Sequence, residues 1–260
     1  MRRLIVVLLV CLSSFVWSQT STPQPIPTSD PRAVSLVQQS IAALTRGATI
    51  SDVTLNGTVT SILGSENETG TGIFQAKRTA ESRMSLHLSG GTRSEVRSLT
   101  NGSPSGAWQT NGGAVTAFAY HNCRTDTAWF FPALSYLSQL ANPNFVFKYI
   151  GQELHGGFNT QHVRVFQPSQ AALLQHLSTV DFYLDPVSSL PLAMAFAVHP
   201  DLDANADIPA EIRFANYQSV SGIPVPFHFQ KMLNGGVVLD VNVTSTSFNS
   251  GLADSIFSLQ

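Results

Sequence analysis

Residues 225–244 run Val225-Pro-Phe-His-Phe-Gln-Lys-Met-Leu-Asn234-Gly235-Gly236-Val-Val-Leu-Asp-Val-Asn-Val-Thr244. Apolar side chains fall at every second position, with Val225, Phe227 and Phe229 before the break and Val237, Leu239, Val241 and Val243 after it. A period of two sends successive side chains to opposite faces of an extended chain, so one face is dry and the other wet. Between the runs, Asn234-Gly235-Gly236 supplies residues that adopt positive φ at low cost, which is the chemistry of a tight hairpin. The stretch therefore specifies two antiparallel strands that rest one face on a core.

The same pattern recurs along the chain. Val53, Leu55, Val59 and Leu63 alternate with Thr54, Asn56, Thr58 and Thr60. Met84, Leu86 and Leu88 do so again, followed later by Leu192, Met194, Phe196 and Val198, and by Ile212 and Phe214. Turn residues separate these runs at 64–70, Gly90-Gly91, Asn101-Gly102, Asn111-Gly112-Gly113 and Gly156-Gly157, and Gly102 to Gly106 also reads as a turn. Three segments have helical spacing instead. Val34, Val37, Ile41 and Leu44 predict a helix from Pro31 to about Thr45, capped by Ser29 or Asp30 and stopped at Gly47. Trp129 to Leu140 and Gln170 to Leu177, the latter capped by Ser169, predict two shorter ones. The expected fold is α+β and mostly β, one antiparallel sheet interrupted by short helices.

The termini and composition bound the setting. Arg2 and Arg3 precede the apolar run Leu4 to Leu12, and Val16-Trp17-Ser18 offers a cleavage site before Gln19. Residues 1–18 thus read as a Sec-type signal peptide, which implies a periplasmic or secreted protein. Residues 19–30 form a flexible Ser/Thr/Pro-rich segment, and 31–260 a single domain. No later run reaches 18 uninterrupted apolar residues, so no transmembrane span is expected in the mature form. Cys11 leaves with the signal peptide and Cys123 stays alone, which precludes an intrachain disulfide. A net charge of −2 with only 12% charged residues argues against a nucleic-acid partner. The 43% hydrophobic content argues against a disordered chain.

Catalytic signatures are missing from the sequence. There is no His-Glu-x-x-His, no Cys-x-x-Cys and no phosphate-binding glycine loop, and Gly102-Ser103-Pro104-Ser105-Gly106 places proline where a nucleophile elbow needs serine. Neither an enzyme nor a cofactor is expected. No metal site is expected either. The oxygen-rich run Asp201, Asp203, Asn205 and Asp207 has the spacing of a calcium loop in its first half alone, because Ala206 stands where the turn needs glycine, and it reads as a solvated hairpin tip. What remains is apolar: Trp129, Phe130, Phe131, Leu134 and Leu137 in one segment, and Phe227 and Phe229 on one side of a strand. They read either as ordinary core or as the lining of a hydrophobic groove between a curved sheet and its helices.

The C-terminal half carries a further signal in the order of its motifs. Asp181-Phe-Tyr-Leu-Asp185-Pro186 is followed by Leu190-Pro191-Leu192, Ile212-Arg-Phe-Ala-Asn-Tyr217, Gly222-Ile-Pro224-Val-Pro226 and Asn234-Gly235. Asn249, Asp254 and Phe257 close the series. This succession resembles the outer-membrane lipoprotein-sorting-like superfamily, the LolA/LolB-type half-barrels, and in particular secreted bacterial members. The resemblance implies a single strongly curved antiparallel sheet, a half-barrel, with helices over its concave face that close a cavity for acyl chains. It also implies a buried arginine that helps to close a lid, for which Arg83, Arg93 and Arg97 are candidates. The function it implies is an exported carrier that binds an apolar small molecule, a lipid or a lipoprotein acyl chain. The alternative is a non-catalytic scaffold of the same fold that contacts an envelope protein or senses envelope stress.

Overall fold

A computed structural model describes residues 27–100 and 102–259. The expected signal peptide, residues 19–26 of the segment after it, and Asn101 of one expected turn lie outside the described residues. Pro31 opens α1 (Pro31–Thr45), where its missing N–H costs nothing. Asp30 occupies the N-cap position, but its carboxylate does not cap. It accepts from Lys148 Nζ at 2.8 Å and from the Tyr149 N–H at 3.2 Å, and so ties the helix start to a strand. Arg46 and Gly47 adopt positive φ and end the helix where the sequence stops it.

Among the described residues, the period-two runs form thirteen strands. The first six are β1 (Asp52–Leu63), β2 (Glu66–Lys77), β3 (Ser82–Leu88), β4 (Gly91–Thr100), β5 (Ser103–Thr110) and the two-residue β6 (Thr116–Ala117). After an irregular stretch come β7 (Val146–His155), β8 (Phe158–Phe166), α2 (Ala172–Leu177) and β9 (Val180–Leu184). The chain ends through β10 (Pro191–Val198), β11 (Ile208–Val220), β12 (Ile223–Leu233) and β13 (Gly236–Phe248). They make one sheet in the order β6-β5-β4-β3-β2-β1-β13-β12-β11-β10-β9-β8-β7, and every pairing is antiparallel. The chain builds one wing outward from β1, crosses to the far edge, and builds the other wing back until β13 pairs with β1. The edges β6 and β7 do not meet, so the barrel stays open.

The sheet is strongly bent. Phe74 on β2 and Phe229 on β12 are three strands apart, roughly 14 Å in a flat sheet, yet their ring centroids lie 5.2 Å apart. Bulges in β1 between Asn56 and Gly57 and in β12 between Lys231 and Met232 sit on this bend. Gly70 allows the closest backbone approach, since a Cβ there would lie 1.9 Å from the His87 carbonyl oxygen. The core fills the concave side, with α1 packed on β7, β8 and β12. Among the described residues, no helix is long and apolar enough to cross a membrane.

Three local expectations need correction. The helix expected from Trp129 to Leu140 is two single 3₁₀ turns, Pro132–Leu134 and Tyr136–Gln139. Pro132 has no N–H, Ser135 is extended and its Oγ accepts the Leu137 N–H, and Asp126 accepts the N–H groups of Ala128 and Tyr136. Side chains thus take the donors an α-helix would use. The other short helix starts at Ala172; Ser169 Oγ accepts from Ala171 before that start, so it does not cap. Residues 66–70 and 103–106, expected as turns, are strand, because Glu66 to Gly70 pair with β1 and Ser103 to Gly106 pair with β4.

Candidate functional site

The concave face is defined by strand register. Leu86 and Met84 on β3 face the core, and their partners on β4 are Arg93 and Glu95. Ser82 pairs with Arg97, so β4 presents a row of charges to the inside while Val96 is buried on the other side. On β12, Lys231 pairs with Leu239 and Ile212 and faces inward as well. The bend brings these strands together. Arg97 Nε donates to Glu95 at 2.9 Å, and Lys231 Nζ lies 4.9 Å over the Trp129 ring. Burial acts to raise the Glu95 carboxyl, and Arg97 and Lys231 overcome it, holding Glu95 below the usual carboxylate range. Burial also pulls the Lys231 ammonium below its ordinary value despite Glu95.

An aromatic cluster lies beside this trio. Phe74 contacts Trp129, Phe130 and Phe229 at centroid distances of 6.3, 5.5 and 5.2 Å, and Trp129 contacts Phe229 at 6.1 Å. Trp129, Phe130, Phe131, Leu134, Leu137 and Phe229 are all buried, and Phe227 is partly buried against the same core. The structure therefore gathers all seven residues singled out from the sequence, and packs them against the protein itself.

The segment 118–145 covers this side of the sheet, held by buried apolar side chains from Ala128 to Leu137 and by a few polar groups. Of the three arginine candidates, only Arg97 reaches it: Nη1 donates to the Asn122 carbonyl, and the guanidinium lies 4.9 Å over Phe118. Arg83 instead donates to Ile256 and Ser258 carbonyls, and Arg93 pairs with Glu68. Within the segment, Asp126 accepts from Ala128 at 3.0 Å and Tyr136 at 2.7 Å, and the Tyr136 hydroxyl donates to the Arg124 carbonyl at 2.8 Å. Burial without a cation partner pushes the Asp126 carboxyl up to about 7, although both N–H groups oppose the rise. At the segment's edge a cleft of about 430 Å³ opens between Leu99, Tyr120, Leu134, Tyr136 and Phe145. Cys123 also lines it, a free thiol that burial keeps protonated.

The oxygen-rich run does not close on itself. Asp203 Oδ1 accepts the Asn205 N–H, Asp201 lies beside the Asn122 amide, and Asp207 turns toward His176 and His199. Sequence spacing missed the inward charges of Glu95 and Lys231 and the role of Asp126. The signal for Glu95 lies in parity: a hairpin between β3 and β4 that puts Met84 inside must put Glu95 inside too.

The fold has counterparts of known structure. A protein domain from Vibrio parahaemolyticus described as outer membrane lipoprotein-sorting superposes with a TM-score of 0.55 at 13% identity, covering 87% of this chain and 96% of that one. A DUF1329 family protein from Desulfovibrio piger gives 0.57 at 11% identity, covering 90% and 100%. A LolA superfamily protein from Nitrosomonas europaea gives 0.51 at 9% identity, covering 87% and 97%. No protein-family model and no curated protein sequence matches the chain. The half-barrel expected from the motif order is the fold this chain has, and at these identities the likeness concerns the fold alone.

Proposed function

We propose that this is an exported bacterial envelope protein, its residues 31–260 folded as one domain, that binds a lipid or acyl chain on the concave side of its half-barrel and catalyses no reaction. The observation that carries this reading is the nature of the cover. Residues 118–145 contribute no strand to the sheet; the Arg97 and Asn122 hydrogen bonds and buried apolar side chains hold them against it, so the cover can lift while the sheet keeps its ladder. Trp129, Phe130, Phe131, Leu134 and Leu137 on the cover, and Phe227 and Phe229 on the sheet, then form the two walls of the binding groove. Each buried methylene of a ligand contributes about 0.8 kcal/mol relative to water, so apolar contact alone suffices for capture. The cleft of about 430 Å³ at the cover's edge falls within the ~300–1,000 Å³ range of small-molecule sites and serves as the entry. The reading is also supported by the signal-peptide features at the start of the sequence and by a solved lipoprotein-sorting domain of like fold.

One observation favours a second reading. The aromatic cluster is self-packed, with Phe74, Phe130, Phe131 and Phe229 almost completely buried, which suits a scaffold that contacts another envelope protein without holding lipid. Native mass spectrometry of the protein purified from cells, together with titration by a fluorescent fatty acid, separates the two. Copurified lipid or saturable uptake supports the carrier. A protein that is empty and takes up no probe overturns it and leaves the scaffold.

A further inference from the structure

Away from the concave face, three elements bring two imidazoles and a carboxylate to one point. His176 sits in the last turn of α2, His199 directly follows β10, and Asp207 directly precedes β11. Asp207 Oδ1 lies 2.8 Å from His176 Nε2 and 3.0 Å from His199 Nε2, and one donor atom from each residue falls within 4.8 Å of the others. Ligands at about 2.0–2.1 Å from a tetrahedral zinc ion lie roughly 3.3–3.5 Å from one another. The Asp207 contacts must therefore open by about half an ångström and the two imidazole nitrogens close by at most about 1.5 Å, which rotation of the half-exposed His176 and Asp207 side chains can supply.

The surroundings hold the donors in place. The His199 side chain is only 1% exposed. Its Nδ1 has no partner, so its hydrogen bonding is confined to the Nε2 that points to Asp207. Asn122 grips the His199 backbone from both sides, accepting its N–H at 2.9 Å and donating to its carbonyl at 2.7 Å. Ser178 fixes the end of α2, donating to the Gln175 carbonyl at 2.8 Å and accepting the Gln167 N–H at 3.0 Å. His121 is a neighbour with its ring 5.8 Å from His199, but its Nε2 faces the Pro200 carbonyl at 3.0 Å. His176 and Asp207 remain about half exposed and also line a cleft of about 830 Å³.

We propose that His176, His199 and Asp207 form a three-ligand site for a divalent transition-metal ion of the zinc class. Two imidazole nitrogens and one carboxylate are a borderline donor set, suited to such ions and unsuited to calcium, which takes six to eight oxygens. Three protein ligands leave a tetrahedral position for water or for a group entering the neighbouring cleft. None of its three ligands lines the proposed apolar groove, so loss of metal binding and loss of lipid binding are read separately.

The test is direct metal titration. The purified protein is stripped with a chelator and titrated with Zn²⁺ by calorimetry and with Co²⁺ by visible absorption. The expected result is one strong site per chain, with the intense absorption of four-coordinate cobalt that zinc then abolishes. Both His176→Ala and Asp207→Asn, at half-exposed side chains, lower zinc affinity tenfold or more with unchanged circular dichroism. His121→Ala leaves the isotherm unchanged. Absence of a zinc isotherm in the native protein overturns the proposal. So does an affinity that survives both His176→Ala and Asp207→Asn, since binding then resides at other histidines.

Discussion

The two wings of the sheet, which meet where β1 pairs with β13, fill their concave faces by different means. In the wing from β7 to β11, Val163, Val165, Val180, Phe182, Met194 and Ile212 are all buried in the main core. In the wing from β3 to β6, the corresponding positions include Arg93, Glu95 and Arg97, and Trp108 opposite Glu95 is 41% exposed. The first wing is stabilised by buried apolar area and the second by directional polar links. The cover is tied to both: Arg97 on the polar wing donates to the Asn122 carbonyl, and the Asn122 amide grips the His199 backbone just after β10.

The largest effect that sharpens this contrast comes from the aromatic cluster on which both wings converge. Phe74→Ala should cost about 3–5 kcal/mol, whereas Trp108→Ala on the polar wing should cost under about 1 kcal/mol. Urea denaturation measures both, and the reverse order breaks the comparison. Next comes pH. Because the Asp126 carboxyl is raised from 3.8 to about 7, the folded state binds its proton more tightly than the unfolded chain. Its contribution to stability is full below about pH 4 and is lost as pH rises through about 7, by roughly 4 kcal/mol at most. Denaturation midpoints measured across that range should fall with pH, and Asp126→Asn should flatten the slope.

Smaller still is the loss in Arg97→Ala, which leaves Glu95 buried without its arginine and the Asn122 carbonyl without a donor, at about 3 kcal/mol. Hydrogen exchange should quicken in residues 118–145 and stay slow in β8 to β10; uniform acceleration would mean that the wings are not separable. Asn249→Ala should cost about 1–2 kcal/mol, because Asn249 accepts from the Ser51 backbone at 2.7 Å and donates to the Thr49 carbonyl at 2.9 Å. Its φ of 54° adds strain for alanine. A thermal melt reads this last change.

The motif order that announced the half-barrel was legible because its residues staple the fold. Asp185 accepts the N–H groups of Val187 and Ser188 at one turn, the Tyr217 hydroxyl donates to the Pro191 carbonyl, Asp254 pairs with Lys77, and Phe257 is buried. Alternation likewise revealed the hairpin of β12 and β13, whose Asn234 and Gly235 take the positive φ values the turn needs. The cover was misread as helix because apolar spacing at 129–140 does not register the diversion of backbone donors to Asp126 and Ser135. Inward charges on β4 escaped because an apolar-inside rule assigns Val96 to the core face. The His176, His199 and Asp207 cluster escaped because its members come from three elements and share no helical spacing.

The pairing of β1 with β13 has a consequence for how the chain is made. Ser51 and Asn249 meet 198 positions apart, so the central ladder closes only after nearly the whole polypeptide is available. Loop closure of that length is slow, and until it occurs β1 is a bare edge open to foreign strands. Nascent chains of this topology depend on a holding partner, or on speed, more than chains whose neighbours in space are neighbours in sequence.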